Sequence, residues 1–150
     1  QQKWAEGPVT QLGVAASGFP NLFIVVGPGS PSLLSNVLVS TEEQVDWLEA
    51  LIRRMDEAGV TEFEATEAAE VDWTAQVQAR AQETLYASTP SFYNGAEVAG
   101  KPRVFMPYSG GVRGYRRLLE QCAREGYTGF QFRRADGGEA AVGPPPAAVA

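Results

Sequence analysis

Residues 22–31 read LFIVVGPGSP, five apolar residues running without a break into two glycines and two prolines. An apolar run with no polar alternation predicts a strand covered on both faces, as in the middle of a parallel sheet. Gly27-Pro28-Gly29-Ser30-Pro31 must then end it, because proline cannot donate to a ladder and glycine permits the tight bend. Such a strand needs partners beside it and helices above and below it. The expected class is therefore α/β, with about three helices, a few short strands and a sheet that this chain alone leaves incomplete.

The helices are read from periodicity. Leu34, Leu38, Thr41, Val45, Leu48, Ile52 and Met55 recur at alternating steps of four and three, which predicts a long helix with one apolar stripe. Ser32 or Ser35 is placed to cap its start and Gly59 to close it. Burying each large residue of that stripe is worth roughly 1.5–3 kcal/mol before entropy is charged against it, so the stripe needs a surface to lie on. Thr61–Thr66 reads as a short edge strand. A second helix is expected from about Glu67 to Leu85, capped by Thr66, with Val71, Trp73, Val77, Ala81, Thr84 and Leu85 inward. Residues 87–103 carry Pro90, Gly95, Gly100 and Pro102 without a period, a long loop of the kind that serves function or moves. Val104–Met106 reads as a brief strand and about Val112–Glu125 as a third helix, with Tyr115, Leu118, Leu119 and Cys122 on one face. Phe130 and Phe132 flank Gln131 in a last strand. Residues 1–134 are thus expected to form the folded part, and 135–150, reduced to Ala, Gly and Pro with few other residues, a disordered tail.

Composition narrows the chemistry. A net charge of −6 argues against a general affinity for nucleic-acid phosphate or anionic lipid. No apolar run approaches the roughly 20 residues of a membrane helix, and QQKWAEGPVT carries no apolar signal core. The lone Cys122 fits a reducing compartment, and cytoplasm is the expected location. The count of histidines is zero, which excludes a Ser-His-Asp or Cys-His centre within this chain and any zinc site built on imidazole. No metal site is expected.

The bend does not match a phosphate-binding loop. Where G-x-G-x-x-G would place its third glycine stands Ser32, and Pro28 and Pro31 supply no N–H. Two readings of these residues remain open. The bend simply turns a strand into a helix, or the N–H groups near Ser35, Asn36 and Val37 hold a carbonyl or partial negative charge of a cofactor ring.

Taken in order, GFPNLF (18–23), GPGSPS (27–32), SN (35–36), VDW (45–47), S-aromatic-Y-x-G-A (91–96), GKPRVFM-x-Y-x-G-G (100–111), YR (115–116) and GY-x-GF (126–130) closely resemble the C-terminal part of Baeyer–Villiger monooxygenases. The likeness runs from about Trp4 to Phe132. It implies the last stretch of a Rossmann-like FAD-binding domain in an enzyme that uses FAD and NADPH to insert oxygen beside a ketone carbonyl, giving an ester or lactone. Its partners would be a small-molecule ketone, oxygen and the missing N-terminal portion of the same enzyme.

The resemblance also implies roles. Residues 27–37 pass the flavin ring, so Gly27, Gly29, Ser35, Asn36 and Val37 are candidate cofactor contacts, with the helix start at Asn36 and Val37 directed at the pyrimidine carbonyl. Ser32, Leu33 and Leu34 shape the ketone pocket. Residues 91–101 form a mobile loop that closes over NADPH, with Phe92 and Lys101 as candidate contacts. Departures from the family pattern are Phe92 for tryptophan, Glu97 for asparagine, Val37 for methionine, and Gln44 for histidine, the last expected at the surface or in packing. The family's glycine-rich FAD and NADPH fingerprints, its aromatic-Gly…His…Trp-Pro signature and its catalytic arginine are absent from this chain, so it holds no candidate catalytic residue. Two alternatives stand beside this reading: a standalone remnant without catalysis, and a nucleotide-binding subunit that needs a partner chain.

Overall fold

The computed structural model describes residues 2–32, 35–86, 88–97, 99–100 and 102–145. The elements run α1 (Val37–Ala58), β1 (Glu62–Ala65), α2 (Glu67–Gln82), a single 3-10 turn at Phe92–Asn94, α3 (Gly111–Arg124), β2 (Phe130–Arg133) and β3 (Glu139–Ala140). The three strands form one antiparallel sheet in the order β1-β2-β3. Phe63 faces Phe132 across the first pair, and Phe132 faces Ala140 across the second. The α/β class with three helices and short strands therefore holds, and β1 is an edge strand as its sequence predicts.

The core gathers on one face of this sheet. Phe63 stacks on Phe23 at 5.3 Å and on Phe130 at 4.6 Å, while Trp47 of α1 meets Tyr127 edge-on at 5.4 Å. The indole N–H of Trp47 donates to the Leu119 carbonyl at 2.9 Å, fastening α1 to α3. Outside the core, Arg116 of α3 adds an ion pair with Glu43 of α1.

Five expectations need correction. Leu22–Val26 is irregular rather than a central strand. Among the described residues no strand flanks it, its Ile24 N–H turns instead to the Val14 carbonyl at 2.8 Å, and Val26 bends to a φ of 55°. Val104–Met106 is likewise not a strand, because Gln78 of α2 takes both polar groups of Phe105: its Nε2 donates to the carbonyl at 2.6 Å and its Oε1 accepts the N–H at 3.2 Å.

The buried face of α1 is also not the expected stripe. Ser40, Gln44, Trp47, Leu48, Leu51 and Met55 face inward, whereas Leu38 is 71% and Val45 47% exposed. Two buried polar residues, Ser40 and the internally bonded Gln44, disguise the true inner face. On α2, Glu70 is inside and Val71 outside, because Glu70 has its own partners at Lys3 and Ser17, while Leu85 lies past the end of the helix and is exposed. Finally, the segment from Ala135 is ordered through Val142. Asp136 accepts the Gly138 N–H in a tight turn that returns the chain as β3, and Val142 is buried in the core. Residues 146–150 lie outside the described residues.

Candidate functional site

The glycine-rich bend is built from the inside. Gly27 N–H donates to the Gly13 carbonyl at 3.2 Å, Gly29 N–H to the Met106 carbonyl at 2.6 Å, and the Thr10 hydroxyl donates to the Pro28 carbonyl at 2.5 Å. A Cβ at Gly27 would lie 2.7 Å from the Gly13 oxygen, and one at Gly29 would lie 2.5 Å from the Trp73 indole nitrogen. Glycine is required at both positions by close approach of the protein to itself.

The start of α1 is different in kind. Asn36 is its cap, its Oδ1 accepting the Leu38 N–H at 3.0 Å; neither Ser32 nor Ser35 takes that part, because the helix begins only at Val37. The N–H groups of the first turn have no carbonyl a turn earlier to meet, and among the described residues those of Val37 and Val39 have no partner. Asn36, Val37 and Leu38 are all exposed, so these donors and the positive end of the helix open outward. The Ser35 hydroxyl beside them is shielded from water and has no partner among the described residues. A ring edge bearing carbonyl oxygens fits this donor set.

The loop at residues 88–97 meets the bend from the other side. Met106 joins them: its N–H donates to the Tyr93 carbonyl at 2.9 Å while its carbonyl accepts from Gly29. Asn94 shapes the loop from within, accepting the Ser91 N–H at 3.0 Å and donating to the Thr89 carbonyl at 2.8 Å. Between loop and bend lies a largely apolar cavity of about 490 Å³ walled by Trp4, Pro28, Phe92, Pro102 and Met106, with Glu97 at its lining. Phe92 remains 67% exposed. A second cavity of about 590 Å³ runs between α2 and α3, and none of the sequence-predicted site residues lines it.

The structure thus brings Pro28 of the bend to Phe92, and sets Ser35, Asn36 and Val37 together at one helix start. Ser32 is half-buried between them in the chain, and Leu33, Leu34 and Lys101 lie outside the described residues. Gln44, expected at the surface or in packing, is fully buried, with its amide directed at the bend. An amide on a helix face otherwise marked by apolar spacing gives no sequence signal of this.

No protein-family profile matches the chain. Individual relatives do. The chain is 36% identical over 135 residues, 89% of its length, to cyclohexanone 1,2-monooxygenase of Acinetobacter sp.. It is 36% identical over 83% of its length to a Baeyer-Villiger monooxygenase of Pseudooceanicola batsensis. The chain belongs to the Baeyer–Villiger monooxygenase family. Its fold agrees: the crystal structure of the OTEMO complex with FAD and NADP superposes with a TM-score of 0.79 at 37% identity, over 87% of this chain and 24% of that one. The chain spans about a quarter of the length of the relatives it matches, 24% of the Acinetobacter protein. Among its described residues no helix is long and apolar enough to cross a membrane.

Proposed function

We propose that this chain is the C-terminal segment of an FAD- and NADPH-dependent monooxygenase that inserts oxygen next to a ketone carbonyl to give an ester or lactone. Within that enzyme it supplies flavin-ring contacts, part of the pocket wall and a lid over NADPH, and it completes a Rossmann-like FAD domain in the cytoplasm. The observation that carries the reading is the open donor set at the start of α1, joined to a chain whose relatives are monooxygenases.

Bound FAD, reduced by NADPH, supplies the oxygen chemistry. This segment's residues do the rest by placement. Asn36 caps α1 and leaves the Val37 and Val39 N–H groups directed outward, where they hold a ring carbonyl and stabilise negative charge that develops on it. Ser32, Leu33 and Leu34 form pocket wall, and Lys101 meets a cofactor phosphate. Phe92 provides an apolar plate over the cavity it shares with Pro28 and keeps water out as the loop closes. Glu97, in the same lining, places negative charge near an anionic cofactor, which favours loose and reversible closure. The uncovered side chains of Phe19, Leu22 and Val25 are the faces that the N-terminal portion of the enzyme would cover.

The test uses the intact protein that carries this segment. It should purify yellow with FAD, oxidise NADPH faster when a cyclic ketone is added, and yield the lactone by mass spectrometry. A protein that retains no flavin overturns the reading. Flavin retained without ketone-dependent oxidation would favour a nucleotide-binding subunit instead.

A further inference from the structure

Gln44 bonds α1 to the glycine-rich bend and to α3. It lies two turns into α1 with no exposed surface. Its Oε1 accepts the Val26 N–H at 2.6 Å, and its Nε2 donates to the Ser30 hydroxyl at 2.8 Å and to the Tyr115 hydroxyl at 2.5 Å. Tyr115 in turn donates to the Leu12 carbonyl. One amide therefore uses both of its hydrogens and one acceptor site to join the bend, α1, α3 and the turn at residues 11–15.

The topology of these bonds gives the inference. Val26 and Gln44 are 18 residues apart, and their bond closes the chain on itself. Everything assigned to the flavin ring, residues 27–37, lies on the closed segment. The closure also holds Val26 at a φ of 55°, a left-handed conformation that a β-branched residue keeps only when its surroundings fix it. Pro28 and Pro31 restrict the backbone of the same segment close to the bonds that Gln44 makes at Val26 and Ser30. An apolar side chain of the same length would fill the space but leave the Val26 N–H without its acceptor and take from the Ser30 and Tyr115 hydroxyls the donor they accept from, each keeping only its own bond to the Gly13 or Leu12 carbonyl.

Resting on the flavin reading above, we propose that Gln44 is a positioning residue. Through Val26 and Ser30 it sets where the exposed N–H groups at the start of α1 stand relative to the flavin ring, and it ties that placement to α3 through Tyr115. It does not touch the flavin.

The experiment compares intact FAD-loaded parent with Gln44→Met, which keeps length and loses every hydrogen bond, Gln44→His, which keeps one donor and one acceptor, and Tyr115→Phe. The readouts are the visible flavin spectrum, its midpoint potential and FAD retention on dilution, alongside thermal unfolding. Gln44→Met should shift the spectrum and potential and weaken FAD retention about tenfold, the loss of one buried hydrogen bond to the site. Gln44→His should recover part of each, and Tyr115→Phe should give a smaller shift of the same sign. If Gln44→Met loads FAD with unchanged spectrum, potential and retention while only its unfolding temperature falls, Gln44 is a packing residue and the proposal is overturned. If Gln44→Met does not fold, the other two variants decide: shifts support it, parent-like flavin overturns it. If the parent itself retains no flavin, the flavin reading falls first and this proposal falls with it.

Discussion

Lys3 and Glu70, 67 residues apart, meet at 2.8 Å and fasten the start of the chain to α2. Glu70 is almost completely buried and also accepts the Ser17 N–H at 2.6 Å and the Ser17 hydroxyl at 2.9 Å, so its carboxylate has a partner on each oxygen. Removing it strips three donors of their acceptor at once. Glu70→Ala should cost about 3 kcal/mol. Glu70→Gln, which can still accept from Ser17, should cost less. Denaturant unfolding of the two variants checks the order, and equal losses would show that Lys3 dominates the contact.

Two glycines separate close approach from backbone conformation. Gly29 and Gly59 both have positive φ, 87° and 65°, but a Cβ at Gly29 would lie 2.5 Å from the Trp73 indole while one at Gly59 meets nothing within 4 Å. Gly59→Ala should therefore cost only the left-handed penalty, about 1 kcal/mol. Gly29→Ala bears that and must also displace Trp73 from its stack on Tyr108, adding about 1–3 kcal/mol. Near-ultraviolet circular dichroism should register the moved indole in Gly29→Ala and not in Gly59→Ala.

These same residues mark what the sequence does and does not disclose. Gly59 and the Thr66 cap were legible because they act on their own neighbours: Gly59 ends α1 and Thr66 accepts the Ala69 N–H. Tyr115, Leu119 and Cys122 were legible because α3 has a single unambiguous apolar face. Gln44 and Glu70 were not, since their burial rests on partners 14 to 71 residues away that no local pattern announces. Leu22–Val26 misled for the reverse reason: its composition suits a covered strand, but a strand exists only where a ladder partner does. The hairpin into β3 did have a local signal, the Asp-Gly-Gly of residues 136–138 next to a strand, outweighed by the alanines and prolines that follow. At the site, the ordered motifs marked the bend and the loop, while the link between them runs through the backbone of Met106, groups that every residue but proline carries and that its identity does not announce.

Cys122 should be inert in the folded protein. It is buried on α3, its thiol 3.4 Å from the Thr128 carbonyl, and burial followed by the nearby Glu125 charge pushes its pKa up to about 12. The thiolate is the reactive form, so it is nearly absent at neutral pH. A thiol reagent at pH 7 should label the native protein far more slowly than the protein in guanidinium chloride, and comparable rates would mean that α3 opens readily.

Glu64 gives the fold a dependence on acid. Its Oε1 accepts the Gly18 N–H at 2.5 Å, and its Oε2 accepts from Gln131 at 2.7 Å and pairs with Arg133 at 3.5 Å. Burial alone would raise its pKa, but these bonds and the arginine outweigh it and hold the carboxyl below its ordinary value of 4.5. The folded state therefore binds the proton less readily than the unfolded state does. The stabilisation is complete above the unfolded value and is lost as pH falls through the folded one. Thermal unfolding measured from about pH 6 down to about pH 3 should show a falling midpoint below about pH 5. Glu64→Gln should be the less stable protein at neutral pH, and its difference from the parent should shrink as Glu64 becomes protonated. Parallel curves for the two proteins across the whole range would show that acid sensitivity arises elsewhere, with Glu62 opposite Arg133 as the next carboxylate to replace.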